Sequence, residues 1–512
     1  MFPTTFLLAV AACPSAVAAQ TAESTPTTVP SLFAATTLAP EPGVVPSTKA
    51  LRTRLATLDL GALRDAAVAS EDADSVRINL FDDVSFLADF TRLDAASAGG
   101  WVWSGAIAGD DGSVTISVVE DVVSATVQHG TDLYQIDYAG NGIHWVRHCD
   151  PAAAPRCGTN DSHSIFSSES LQSASSGTSS RGSGNTIDVL VVYSTAAKNS
   201  SGGTNGMISK INLAVTETND AYTLSGVTQQ LNLVHTEEMI GYNEPSSFSQ
   251  ILSDLASETD GDMDDVHALR DQYGADCVAM ICQNGQYCGI AYLMTNVSHG
   301  FEDNAFSVTN YSCATGYYSF GHELGHNMGC AHDPANAGSA AYSYSYGWRT
   351  TNNQYRTVMA YSPGTRVKRF SSPNVFYNGW VMGDGNQDNA RSLNSASDTI
   401  AGWRTNVPPV PTLSVAALVP GLTSHATLSG CTPSGSVILG YSLAGSGPTN
   451  TIYGMVDLGA PIGQLPAATV DAGGNASVQL NPTGSLSGTT IWFQALDLST
   501  GQLSNGDQQT VF

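Results

Sequence analysis

The sequence predicts an α+β domain, built on a mixed, mostly parallel sheet, between a β-rich segment and a small β-sandwich. Three observations carry this reading. Between residues 51 and 165, runs such as "GSVTISVVED", "VVSATVQHG" and "DLYQIDYAG" alternate in character and end in Asp or Gly. That is the mark of meandering antiparallel strands packed on their Val and Ile face. From 186 to 407, continuous apolar runs alternate with runs of helical period. From 408 to 512, short Val, Ile and Thr segments are separated by Gly, Asn and Pro, as in a sandwich of two sheets.

Residues 1–19 read as a signal segment, with an apolar run from Phe6 to Ala12 and a small-residue site at Ala16-Val17-Ala18, although no Lys or Arg stands near the start. The run is too short to span a bilayer and no later stretch is long enough, so no transmembrane segment is expected. The implied destination is secreted, extracellular. The alternative is a lipid anchor on a bacterial surface through Cys13, because Val10-Ala11-Ala12-Cys13 resembles a lipobox. Residues 20–50, rich in Thr, Ser, Pro and Ala, read as a flexible lead-in. After the β-rich segment, residues 166–185 lie in a Ser/Gly stretch that cannot bury enough apolar area to offset its ordering entropy. It reads as an exposed linker and a site of activation cleavage.

Within 186–407, "TIDVLVVYS" has the pattern of a buried strand. "GMISKINLAVTETNDAYTLSGV" places Ile208, Ile211, Val215 and Ala221 on one helical stripe, with Gly226 beyond it. "TQQLNLVHTEE" and "ADCVAMI" read as strands, "FSQILSDLASE" and "MDDVHALRDQYG" as helices. In the tail, "TIYGMVDL", "NASVQL" and "TTIWFQALDL" read as strands, with no grouping of His, Asp, Glu or Cys that suggests chemistry. Adhesion, spacing or sorting is the role expected there.

With 45 acidic residues against 19 basic ones, the net charge of -26 argues against a nucleic-acid or anionic-membrane partner, each of which needs a concentrated positive field. Nine cysteines fit an exported, disulfide-forming protein. Cys277, Cys282, Cys288, Cys313 and Cys330 form a central group of odd number, so one thiol is left free or pairs elsewhere.

The chemistry lies in "YYSFGHELGHNMGCAHD", which ends at Asp333. If "SFGHELGHNM" is a helix despite its glycines, His322 and His326 point the same way and grip one ion. Gly329 turns the chain back, bringing His332 as a third ligand. Three neutral imidazoles with a place open for water are the donor set of a catalytic zinc, rather than a structural one completed by Cys. Glu323 is then placed to take the water's proton. Cys330 lies beyond the turn, where a disulfide is its expected fate.

"HELGHNMGCAH" has every fixed position of the metzincin zinc-peptidase signature. "RTVMAYSPG" resembles that group's Met-turn, with Met359 as the floor under the zinc histidines. Tyr361 resembles the tyrosine that astacin- and serralysin-like members place near the metal, where it donates to the oxyanion. Asp333 resembles the aspartate that follows the third histidine in adamalysin-like enzymes, which implies a structural carboxylate. Together with "YSTAAKNS", "SGVTQQLNLV" and "VKRFSSPNVFYNG", this mixture resembles the bacterial reprolysin-like and peptidyl-Asp-metallopeptidase-like metzincins over roughly residues 185–405. The resemblance implies a metzincin-type catalytic domain and a secreted zinc metalloendopeptidase, acting on protein or peptide substrates and made with a β-rich prodomain. Aspartate-directed cleavage would need a basic pocket residue. Arg366, Lys368 and Arg369 follow the Met-turn, either for that purpose or as solvated charges.

Two further readings stay open. Pro155, Arg156, Cys157, Gly158 and Asp161 resemble the cysteine switch of matrix metalloproteinases, making Cys157 a candidate zymogen latch and the propeptide the enzyme's own inhibitor. Thr159-Asn160 departs from that pattern, and a disulfide between Cys149 and Cys157 is the competing fate. Calcium is a second candidate cation at "ETDGDMDD", Glu258 to Asp265, where a helix N-cap and solvated acids explain the run equally well. The alternative to an enzyme is a surface adhesion protein with a catalytically inactive domain of this kind.

Overall fold

The computed structural model describes residues 29–44, 49–68, 75–109, 111–159, 186–404, 410–432, 435–451, 454–471 and 473–512. The signal segment, Cys13, the first part of the lead-in, Asn160, Asp161 and the Ser/Gly linker lie outside the described residues. Among those described, no helix is long and apolar enough to cross a membrane.

The N-terminal region is one nine-stranded antiparallel sheet. Strands Ser75–Phe81, Val84–Ala95, Trp101–Ile107, Ser113–Val119, Val122–His129, Asp132–Gly140 and Ile143–Cys149 pair in chain order, the meander expected from their alternation. Ala50–Leu58 then pairs with Ile143–Cys149. The lead-in differs from the expectation, because Phe33–Ala35 adds to Ala50–Leu58 as an edge strand. Leu32 and Phe33 are buried there, and the Phe33 backbone exchanges hydrogen bonds with the Asn79 side chain. Pairing and apolar burial together outweigh the loop-like composition.

One face of this sheet forms a core with the helix Leu60–Val68, through Ile78, Trp103, Ile116, Val127 and Val146. The other face carries Ser117, Ser124, Thr126, Gln128 and Gln135, yet these are buried too. They face the next domain. Ser209 Oγ donates to Ser117 O and accepts from Ser124 N, both at 2.9 Å. Asp137 receives Arg147 from its own sheet and Lys210 from the helix Thr204–Leu224. Asp220 of that helix receives Arg92 and Lys368, each at 3.0 Å.

The central domain holds a five-stranded sheet in the order Gln230–Met239, Thr186–Ser194, Cys277–Cys282, Phe306–Asn310, Gly289–Ala291. The first four run parallel and Gly289–Ala291 is an antiparallel edge. Both faces are covered, which is why "TIDVLVVYS" is apolar at successive positions. Val189 and Val191 pack toward Thr204–Leu224, the helix Ser319–Asn327 and the helix Asn389–Ile400. Leu190 and Val192 pack toward Phe248–Ala256 and Asp265–Tyr273.

In the tail, Thr412–Val415, Ser424–Ser429 and Ala476–Leu480 form one sheet, and Ser436–Ser442 and Thr490–Asp497 are central to the other. Leu413, Leu428, Val437, Leu439, Val478 and Phe493 fill the space between them. "TIYGMVDL" is not one strand; Thr449–Thr451 and Gly454–Val456 pair as a short ribbon.

The cysteine expectations change. Cys288 and Cys313 form a disulfide, while Cys149, Cys157, Cys277, Cys282, Cys330 and Cys431 are free and buried. No Cys149–Cys157 bridge forms. The Cys149 thiol donates to Gln135 Oε1 at 3.3 Å, whereas Cys157 pairs with Gly289 on the edge strand. Cys330 is held in the core beside Asn389 O at 3.8 Å, away from any thiol partner.

Glu217, on the long helix, is 2% exposed. One carboxylate oxygen accepts the Gly316 N–H at 2.9 Å, and the Thr126 side chain lies near the carboxylate. Burial pushes its pKa from 4.5 up to about 7. The fold therefore retains a proton that the unfolded chain releases between these values, so stability falls as pH rises through that window. Glu217→Gln should remove this slope. By denaturant unfolding, the variant should exceed wild type at pH 8 by on the order of 1–3 kcal/mol, with the gap closing at pH 5. Equal pH slopes for the two proteins would refute it.

Candidate active site

The helix Ser319–Asn327 forms because Phe320 and Leu324 reach the core and its glycines permit close packing. A Cβ at Gly321 would stand 2.8 Å from Thr218 Oγ1 of the long helix, and one at Gly325 would stand 2.8 Å from Met359 Sδ. The glycines that weaken intrinsic helix propensity are thus required by the neighbours. The helix stops at Met328, and Gly329, with φ +90°, reverses the chain.

His322 and His326 project from one face, and the reversal brings His332 to them. Their Nε2 atoms form a triangle with sides of 3.2, 3.1 and 3.0 Å. Nδ1 of His322 donates to Val358 O at 2.7 Å, and Nδ1 of His326 to Cys330 O at 2.8 Å. A ring whose Nδ1–H is donated carries its lone pair on Nε2, so these lone pairs converge. Burial holds the rings neutral, lowering His326 to about 4 and His322 and His332 well below the ordinary value, with lesser help from the Arg366 charge. Zinc bound tetrahedrally at about 2.0–2.1 Å separates its nitrogen ligands by about 3.3 Å, so the triangle fits that ion. This is a catalytic zinc site with Glu323 adjacent.

Glu323 is fully buried, and burial pushes its pKa up to about 8. Its Oε2 accepts from Cys157 Sγ at 3.2 Å, and its Oε1 has no partner among the described residues. Cys157 Sγ also lies 3.6 Å from His326 Nε2. Burial, with the Glu323 charge, raises this thiol well above its ordinary value. Tyr361 packs over the His332 ring at 4.1 Å, and its phenol donates to Cys157 O at 2.6 Å. Asp333 accepts Tyr361 N at 3.0 Å and Arg349 Nη2 at 2.6 Å, tying the third-histidine loop to the Met359 turn. Among the described residues, Cys157, His322, His326 and His332 bring one ligand atom each within 4.8 Å of one another, the makings of a metal centre.

The edge strand Gly289–Ala291 carries no signature in the sequence, yet it positions both the segment 156–159 and Glu323. Gly158 N donates to Gly289 O at 2.9 Å and Cys288 N to Arg156 O at 3.2 Å, so residues 156–158 extend alongside the edge strand. Thr159 Oγ1 accepts Ala291 N at 3.1 Å. A Cβ at Gly289 would fall 2.3 Å from Glu323 Oε1, so this strand defines the room available to the carboxylate. The basic residues after Met359 are not solvated charges: Lys368 and Arg369 are 4% and 7% exposed.

Fold and site together define a metzincin-type zinc metalloendopeptidase. The chain belongs to the reprolysin-related M12B metallopeptidases and is homologous to peptidyl-Asp metalloendopeptidases. Residues 183–387 match the family described as metallo-peptidase family M12B, reprolysin-like. A peptidyl-Asp metalloendopeptidase of Xanthomonas campestris is 32% identical over 343 residues, covering 63% of this chain and 80% of that protein. One from Stenotrophomonas maltophilia is 32% identical, covering 67% and 80%. One from Pseudomonas aeruginosa is 31% identical, covering 44% and 41%. With the glutamate and all three histidines in place, the catalytically inactive alternative gives way.

Gly289→Ala should displace the Glu323 carboxylate while sparing the histidines. Turnover should fall by roughly 100-fold with zinc content unchanged, as misplacing a reacting group by about an ångström does. Wild-type turnover in that variant would show that the strand does not set the carboxylate's position.

Proposed function

We propose that this chain is an exported zymogen whose processed form cleaves peptides beside aspartate, with Cys157 as the latch. The observation that carries the latch is the Cys157 sulfur beside the histidine triangle, 3.6 Å from His326 Nε2. A zinc thiolate at about 2.3 Å would stand about 3.6 Å from its imidazole co-ligands, so the sulfur has the spacing of a fourth donor. The backbone of residues 156–158 lies against the edge strand in the way an extended peptide adds to a sheet, which supports its place in the cleft. Residues 19 to about 183 are the proposed propeptide, released after cleavage in the linker. Export through the N-terminal segment, with the lipid anchor at Cys13 as alternative, remains part of the same reading.

His322, His326 and His332 would hold the metal through Nε2. When bound, zinc lowers the pKa of a water and polarises a carbonyl. Glu323 receives the water's proton at its carboxylate and returns it to the departing amine. The Tyr361 phenol, which here donates to the Cys157 carbonyl at 2.6 Å, is placed to donate to a substrate carbonyl as negative charge develops. Met359 packs under the helix as the floor, and Gly329 and Asp333 fix the return of His332. The aspartate preference is taken from the named relatives.

Purified intact chain should hydrolyse unfolded casein slowly, and Cys157→Ala should do so without linker processing, at least about 10-fold faster. Glu323→Ala should abolish hydrolysis while keeping about one zinc per chain, a loss of roughly a thousandfold or more. Cleavage sites mapped by mass spectrometry should be enriched in aspartate. An intact chain as active as Cys157→Ala removes the latch; cleavage without regard to aspartate removes the specificity.

A further inference from the structure

Five basic side chains surround the Met359 turn, and four are committed. Arg349 pairs with Asp333 and donates to Ser362 O. Arg356 donates to Gly364 O and Ala360 O. Lys368 is held by Asp220 and Thr115, and Arg369 donates to Lys368 O and lies over the Tyr377 ring.

Arg366 is different. Its Nη1 donates to Tyr317 O at 2.9 Å and lies 3.5 Å from Ser319 Oγ, which fixes the guanidinium at the start of the active-site helix. Its Nε is buried without an acceptor among the described residues, while the residue as a whole is half-buried. A buried N–H is ordinarily paired, because leaving it without an acceptor is costly, so the orphaned Nε calls for a partner. The free edge is the Nε–Nη2 side, the fork that takes a carboxylate through two parallel hydrogen bonds. This charge stands in the site, acting on Glu323, Cys157 and Tyr361. In the intact chain the N-terminal sheet also contacts this backbone, Gln128 donating to Arg366 O at 2.9 Å and Thr365 to Thr131 O at 3.1 Å.

We propose that Arg366 is the specificity-determining residue, its Nε–Nη2 edge receiving the side-chain carboxylate of the substrate aspartate. This rests on the aspartate preference proposed above, and it selects one residue from the three basic candidates that follow the turn. Lysine offers a point charge in place of the fork, and should read the carboxylate only in part.

The test uses the enzyme after linker processing and matched fluorogenic peptides differing only by Asp or Asn at the recognised position. Wild type should favour Asp. Arg366→Gln should reduce the Asp/Asn ratio of kcat/KM by roughly 100-fold, the scale of losing one partner of a buried charge pair. Arg366→Lys should restore part of it. Binding of the Asp peptide to the Glu323→Ala protein, read by fluorescence anisotropy, should weaken in parallel when Arg366→Gln is added, independently of turnover. A variant that lowers both peptides equally, or keeps the ratio while wild type prefers Asp, overturns the assignment of Arg366 and leaves the preference standing. A wild type indifferent to Asp overturns both.

Discussion

Three imidazole lone pairs converging within 3.2 Å of one another are the constraint on which the rest depends. Neutral nitrogens do not choose that arrangement; it is stable when a cation lies between them and something holds the rings until it arrives. The holding is done by backbone. Val358 O and Cys330 O fix two rings through Nδ1, so the Met359 turn and the Gly329 reversal act as second-layer supports for the metal. Asp333 then joins the two supports by accepting the Tyr361 N–H, which makes the third histidine's loop and the turn a single unit. The central sheet gives that unit a fixed base, because both its faces are covered and its strands cannot shift register without exposing one.

The zymogen reading gains coherence from the way the same groups recur in it. The segment around Cys157 meets Glu323 through a thiol, Tyr361 through a carbonyl and the edge strand through its backbone. Those are the three things an extended peptide would bring: a group facing the base, a carbonyl to be polarised and a backbone to be aligned. Docking is reinforced far from the cleft by ion pairs, Lys210 with Asp137 in the buried interface and Arg92 with Asp220 at its edge. Buried pairs of this kind contribute orientation more than net stability, since desolvation offsets much of their attraction.

The metal ligands were legible because helical spacing turns His322 and His326 into neighbours and a glycine turn is a local signal. The parallel sheet was legible from unbroken apolar runs. The polar face of the N-terminal sheet was not: Ser117, Ser124, Gln128 and Gln135 look like surface residues in a strand, and their burial depends on a helix whose contact with them is nonlocal. Phe33–Ala35 was hidden in the same way, since three residues in a Thr/Pro-rich stretch gain strand character only from a partner. The fate of each cysteine also depended on where separate elements meet. Cys157 and Cys149 are eight positions apart, yet one faces a strand neighbour and the other the active site. Gly289 carried no readable signal, because its importance is the space it leaves for Glu323.

Arg366 connects these levels. In sequence it is one of three similar charges after a turn; in the fold, Lys368 and Arg369 are spent on structure, and it alone keeps a hydrogen-bonding edge inside the site. An enzyme tolerates such an unpaired cation where the missing partner is supplied from outside. The same charge helps to keep the three imidazoles neutral, a condition for their binding metal at all. Under the proposal above, the substrate's own carboxylate would complete this guanidinium's partners, so its charge would be compensated only when the peptide is in place.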